Sequence, residues 1–292
     1  MTVRFVGDEA LINTLVTTEE VAAHLADPSW RIFDCRHDLR DTGYGEKAYA
    51  RGHIPGALFL HLDRDLSGEK TGSNGRHPLP GIEAFAERMA ACGVGPDTQV
   101  VAYDNEGSAF AARLWWMLRW AGHEKVAVLD GGLPGWRRRK LPLDATVPSY
   151  PRTAFAVRPD IAPVTVDDLL RHLDDNTNLI LDARPPERFS GEEETIDPVG
   201  GHIPGAINRF YLDNLDDAGC HFKPPDELRE EFVALLGGRN PQNVIQQCGS
   251  GVTACHNLLA MEVAGLSGSR LYVGSWSEWC ADPARPRATG AA

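Results

Sequence analysis

The sequence predicts an α/β protein made of two tandem copies of one domain, each a mainly parallel sheet with helices on both faces. Three observations carry that expectation. Gly52-His53-Ile54-Pro55-Gly56-Ala57 recurs as Gly201-His202-Ile203-Pro204-Gly205-Ala206. Upstream, Ile32-Phe33-Asp34-Cys35-Arg36 answers Ile180-Leu181-Asp182-Ala183-Arg184; downstream, 126–132 with Trp136 answers 270–275 with Trp279. Short β-branched runs alternate with longer helical patterns, the mark of a parallel sheet whose crossovers are helices. A hexapeptide with one Pro and two Gly, repeated in order with two other segments, marks a duplication.

The elements follow from this frame. Residues 99–103 and 243–247 are strands bounded by Gly, Asp or Asn, and 108–121 and 253–264 are the helices after them. The first copy spans 1–142. Residues 143–163, carrying Pro148, Pro151, Pro159 and Pro163, form a stiff, extended linker. The second copy spans 164–281, and 282–292 has little to bury and reads as a frayed tail.

Composition narrows the function. With 29 Lys and Arg against 41 Asp and Glu in 292 residues, the net charge of −12 argues against nucleic-acid or anionic-membrane binding. There is no apolar run long enough to span a bilayer and no basic-then-apolar leader pattern, so a cytoplasmic protein is expected. The six cysteines include no C-x-x-C pair, which argues against a disulfide framework and the commonest zinc spacing. No metal and no cofactor is expected.

The two copies control each other: what both share serves the fold, and what one alone carries is a candidate for chemistry. The strand 243–247 runs into Cys248-Gly249-Ser250-Gly251-Val252-Thr253 before a helix, whereas Asp104-Asn105-Glu106-Gly107-Ser108 stands in the first copy. The thiol is therefore unique to copy two. A glycine-containing loop opening a helix aims backbone N–H groups inward and adds the helix dipole, so it stabilises negative charge on sulfur. Ser250 and Thr253 add hydroxyls. A phosphatase loop needs Arg at the sixth position after the cysteine, where Ala254 stands. The stretch 249–254 fits G-x-G-x-x-A, but no acid for a ribose ends the next strand. A buried, inert cysteine at a glycine turn is the bland alternative.

The double GHIPGA, the Asp-x-Arg strand ends, Cys248-Gly249-Ser250-Gly251-Val252-Thr253-Ala254-Cys255 and Gly274-Ser275-Trp276-Ser277-Glu278-Trp279 resemble tandem rhodanese-type sulfurtransferases over nearly the whole chain. The C-G-S-G-V-T-A loop resembles that of 3-mercaptopyruvate sulfurtransferases; thiosulfate-specific relatives usually carry Arg and Lys after the cysteine. The resemblance implies a first domain without the thiol and a site in the cleft between domains. It implies that Cys248 takes sulfur from 3-mercaptopyruvate or thiosulfate as a persulfide and passes it to a thiol, such as a thioredoxin-like protein, or to cyanide. Arg188 is then the candidate carboxylate clamp. Related enzymes often carry a second arginine about nine residues on, where this chain is acidic from Glu192 to Asp197. Asp63, His77 and Ser250 match a proton relay in some relatives. Cys255 reads as a buried apolar residue, Asp34, Arg36, Asp182 and Arg184 as scaffold ion pairs, and Trp115, Trp116 and Trp120 as packing. The alternative of another class is a non-catalytic rhodanese-fold binding protein.

Overall fold

The structure, a computed structural model, describes residues 11–159, 161–173 and 177–291. Among the described residues nine strands form two all-parallel sheets. The first holds β1 (Leu15–Val16), β2 (Trp30–Asp34), β3 (Leu58–Phe59), β4 (Gln99–Tyr103) and β5 (Val126–Leu129) in the order β1-β5-β4-β2-β3. The second holds β6 (Leu179–Asp182), β7 (Ile207–Asn208), β8 (Val244–Gln247) and β9 (Arg270–Leu271) in the order β7-β6-β8-β9. The sheets match strand for strand, except that the counterpart of β1 shrinks to a single parallel bridge, Val164 to Tyr272. Every residue of β2, β4, β5, β6 and β8 is buried, as expected for strands covered on both faces.

The shared motifs do the same work in each copy. Asp34 sits opposite Tyr103 and Asp182 opposite Gln247, which sets Asp104 and Cys248 at corresponding strand ends. Arg36 donates to Asp34 at 2.6 Å and to the Gly52 carbonyl at 2.9 Å; Arg184 donates to Asp182 at 2.6 Å and to the Gly201 carbonyl at 2.7 Å. Each pair thus ties a strand end to the glycine that opens GHIPGA. His53 stacks on Tyr49 and His202 on Phe189, each ring bonded through Nδ1 to the carbonyl of the residue it stacks on.

The linker and tail were expected to be extended and frayed; both begin by docking. Asp144 pairs with His53, and Ala288 pairs with His202 in the same antiparallel way. The Trp136 indole donates to the Pro142 carbonyl and the Trp279 indole to the Pro286 carbonyl, both at 2.8 Å. The tail is therefore the second copy's version of the linker's first turn, and the duplicated unit reaches past residue 281. The helix Ala111–Trp120 of copy one packs against Ala254–Val263 of copy two within one apolar cluster shared by both. Trp115, Trp116 and Trp120 lie in that cluster. Among the described residues no helix is long and apolar enough to cross a membrane.

Because Asp34 is fully buried, removing its partner leaves an uncompensated charge in the core. Arg36→Met is expected to lower the unfolding free energy by about 3–5 kcal/mol, measured by urea titration. A loss under about 1 kcal/mol, the range of surface pairs, would show that the Asp34–Arg36 pair is not what holds the strand end.

Candidate active site

At the end of β8 the chain turns into the loop that carries Cys248, which is 2% exposed. The N–H groups of Ser250 and Gly251 point at its sulfur, at 3.4 and 3.1 Å. Gly251 adopts φ +74°, and a Cβ there would collide with the Val273 carbonyl, so the close turn requires glycine. The helix Ser275–Trp279 secures the loop from below. Trp276 and Ser277 N–H donate to the Cys248 and Gly249 carbonyls at 2.9 Å, and Cys248 N–H donates to Ser275 Oγ at 3.1 Å.

Copy one has the same junction with Asp104 in place of the cysteine. Its carboxylate accepts four backbone hydrogen bonds: Oδ1 from Glu106 and Ser108, Oδ2 from Phe110 and Ala111, all at 2.8–2.9 Å. Burial raises the Asp104 pKa and these donors oppose the rise. Ser108 and Gly251 share φ +74°, and Ala111 and Ala254 each begin the helix, which aligns the donors: Glu106 with Ser250, Ser108 with Gly251, Phe110 with Thr253, Ala111 with Ala254. In copy two the first pair of donors faces Sγ. Among the described residues the N–H groups of Thr253 and Ala254 have no acceptor.

The cleft in front of Cys248 has a volume of about 780 Å³ and lies between the copies. The residues singled out in the sequence come together around it. Gly249, Ser250, Val252, Thr253 and Arg188 line it, while Gly251 packs against the Val273 carbonyl. His77, 5% exposed, stands behind the loop with Nδ1 2.7 Å from Ser250 Oγ, and its Nε2 lies 3.7 Å from Asp63 Oδ1. Burial holds the His77 pKa down at about 3, against the pull of Asp63. Burial works the other way at Asp63, yet the Lys70 hydrogen bond and the imidazole hold that carboxyl below its usual range. Burial pushes the Cys255 thiol up to about 12, which fits a packing role.

Two arginines were missed. Arg113, 0% exposed, reaches from copy one to the Gly251 carbonyl at 3.0 Å and the His77 carbonyl at 3.1 Å, so one guanidinium fixes the cysteine loop and the histidine together. Arg76 shares the roof of Gly249 with Arg188: a Cβ on Gly249 would lie 2.7 Å from Arg76 Nη2 and 3.4 Å from Arg188 Nη2. Arg188 is ion-paired with Glu194 at 3.0 Å and Asp197 at 2.8 Å, whereas its internal counterpart Arg40 is exposed at the cleft mouth. No local signal marks Arg76 or Arg113, since both act across the copies.

His37, His61 and Asp63 bring side-chain donors within 4.8 Å of one another. They do not make a metal-ligand set, because both His61 nitrogens are used: Nδ1 accepts the Asp63 N–H and Nε2 bonds to the Thr42 carbonyl. All six cysteines are free thiols.

The model of the rhodanese-like domain matches the chain twice, over residues 17–139 and 165–282. The chain belongs to the rhodanese family. A protein of Pseudomonas aeruginosa named "Probable 3-mercaptopyruvate sulfurtransferase" is 47% identical over 280 residues, covering 94% of this chain and 98% of the relative. Thiosulfate sulfurtransferase of Bos taurus is 34% identical over 279 residues, covering 92% and 91%. The solved 3-mercaptopyruvate sulfurtransferase of Leishmania major superposes with a TM-score of 0.81 at 31% identity, covering 91% of this chain and 74% of that one. The resemblance seen in the sequence is thus a family membership, and the tandem rhodanese fold is the one observed.

Buried neutral histidines make the rhodanese pair acid-sensitive. His77 and His256 are both held near 3 by burial, while the unfolded chain protonates its histidines near pH 6.5. Below that value the unfolded state binds more protons, so stability is expected to fall as pH drops from about 6.5 toward 3. Urea midpoints at pH 7.5, 6 and 5 check this. His256→Gln should flatten the decline; an unchanged decline would assign it to other groups.

Proposed function

We propose that this protein is a sulfurtransferase that takes sulfur from 3-mercaptopyruvate onto Cys248 as a persulfide and passes it to a small thiol, a thioredoxin-like protein or cyanide. One observation carries it: copy one spends four N–H groups on the two oxygens of Asp104, and copy two turns the corresponding donors toward a sulfur with two still unspent. An outer sulfur attached to Sγ would take the place of the second oxygen and meet the Thr253 and Ala254 N–H groups.

In the donor step the Cys248 thiolate attacks the donor sulfur, an S–S bond forms, and the C–S bond breaks with its electron pair going to carbon. The proton from the donor thiol ends on that carbon, giving pyruvate and the anionic persulfide. Ser250 and neutral His77, 2.7 Å apart, supply a short proton path. In the second step the acceptor attacks the outer sulfur and the S–S electron pair returns to Cys248. The free cysteines fit a reducing, cytoplasmic setting.

Thiosulfate is the second donor to weigh. Arg76 and Arg188 beside Gly249 suit a small anion, and the bovine relative is named for that substrate. The ratio of kcat/KM for the two donors at fixed cyanide separates them.

Incubation with mercaptopyruvate is expected to add about 32 Da to Cys248 by mass spectrometry, and Cys248→Ser should abolish the addition. Absence of the added sulfur in the unsubstituted enzyme with either donor, together with a Cys248 unreactive to alkylation at neutral pH, would leave a non-catalytic binding protein instead.

A further inference from the structure

The residue that follows the Asp-x-Arg strand end lines the cleft in both copies: His37 in copy one, Pro185 in copy two. By the comparison that singled out the thiol, this imidazole belongs to one copy alone. His37 is 2% exposed, and among the described residues neither of its ring nitrogens has a hydrogen-bond partner. Buried polar atoms without partners are costly and rare. Phe110 and His61 pack against the ring in edge contacts, with centroids 5.3 and 5.4 Å away, and hold it in place. Its Nε2 lies 4.0 Å from Asp63 Oδ2, beyond hydrogen-bond length but close enough to favour positive charge on the ring. Asp63 thus stands between two imidazoles, His37 at one oxygen and His77 at the other. The two rings are not equivalent. His77 is committed to Ser250, whereas His37 meets the cleft with both nitrogens unspent. Burial lowers the His37 pKa, with His61 and Lys70 adding to the fall and Asp63 and Asp38 opposing it, so the ring is a neutral base at pH 7.

The two half-reactions differ in their protons. In the donor step the thiol proton of mercaptopyruvate ends on carbon. In the acceptor step a thiol arrives with a proton that must leave before its sulfur can attack. We propose that His37 is the general base of the acceptor step and takes the proton of an incoming small thiol as that sulfur attacks the persulfide. The proposal rests on the sulfur-transfer function above. The acceptor S–H bond breaks and its proton moves to a His37 nitrogen. An S–S bond forms between the acceptor and the outer sulfur, and the bond from that sulfur to Cys248 breaks with its electron pair returning to Sγ. One S–S bond replaces another, so no oxidant is consumed. The acceptor leaves as an anionic persulfide, Cys248 is again a thiolate, and the imidazolium, steadied by Asp63, gives its proton to water.

The test loads the Cys248 persulfide from mercaptopyruvate and follows its discharge in a single turnover at pH 8, in the unsubstituted enzyme, His37→Gln and His37→Phe. The acceptors are mercaptoethanol, the more acidic trifluoroethanethiol, and sulfite, which at that pH brings no proton to remove. Discharge to mercaptoethanol is expected to slow by about 100-fold or more in both variants. Trifluoroethanethiol, more of which arrives as thiolate, should lose less, while discharge to sulfite and loading from mercaptopyruvate stay within about twofold. His37→Phe keeps a ring beside Phe110 and His61, so it serves if the glutamine variant does not fold. Equal slowing with mercaptoethanol and sulfite would show that His37 only shapes the cleft, and an unchanged mercaptoethanol rate that the acceptor loses its proton elsewhere; either overturns the proposal. Loading that slows while discharge does not would put His37 in the donor step and overturn it as well. If the unsubstituted enzyme forms no persulfide at all, it is the sulfur-transfer function that fails.

Discussion

Everything at the site depends on main-chain N–H groups converging where a parallel strand gives way to a helix. Both copies build that convergence, and each sets an acceptor in it, because buried donors left without acceptors are costly. Copy one satisfies the requirement permanently with the Asp104 carboxylate and becomes a structural partner. Copy two leaves the position to Cys248, whose sulfur uses only part of the donor set. The rest of the molecule holds this loop in place: the Asp182–Arg184 pair at the neighbouring strand, the Ser275–Trp279 helix beneath, and Arg113 from across the interface.

Much of this was legible in the sequence because it is local. The repeated GHIPGA and the Asp-x-Arg strand ends are contiguous, so duplication, parallel sheets and scaffold ion pairs could be read directly, and a thiol present in one copy alone stood out by comparison. Ser250, His77 and Asp63 also converge in space, although only the resemblance to a family linked them beforehand. Arg76, Arg113 and Asp197 escaped because their partners lie in the other copy or on the far side of the loop, and charge at one position says nothing about what it faces. The docking of 282–291 escaped for another reason. On the tail's side its pairing with His202 and with the Trp279 indole uses only backbone groups, which leave no trace in the tail's own side-chain patterning.

The electrostatics work on two scales. The chain carries a net charge of −12, so at long range it repels an anionic donor. Within the cleft, guanidiniums from both copies crowd the roof of Gly249. Salt screens the repulsion over roughly 10 Å, whereas the partly buried arginines are screened far less. Selection is thus exercised at contact rather than during approach.

The apolar cluster that spans both copies sets how the cleft can be used. Swinging the copies apart would expose the faces of Ala111–Trp120 and Ala254–Val263 to water, and a large hydrophobic interface of this kind resists hinge motion. Cys248 opens onto the cleft between the copies. In the proposed reaction this cleft serves both the spent donor that leaves and the acceptor that enters. The two half-reactions are therefore kept apart in time by the shape of one passage, and the bound sulfur waits inside it until the doorway clears.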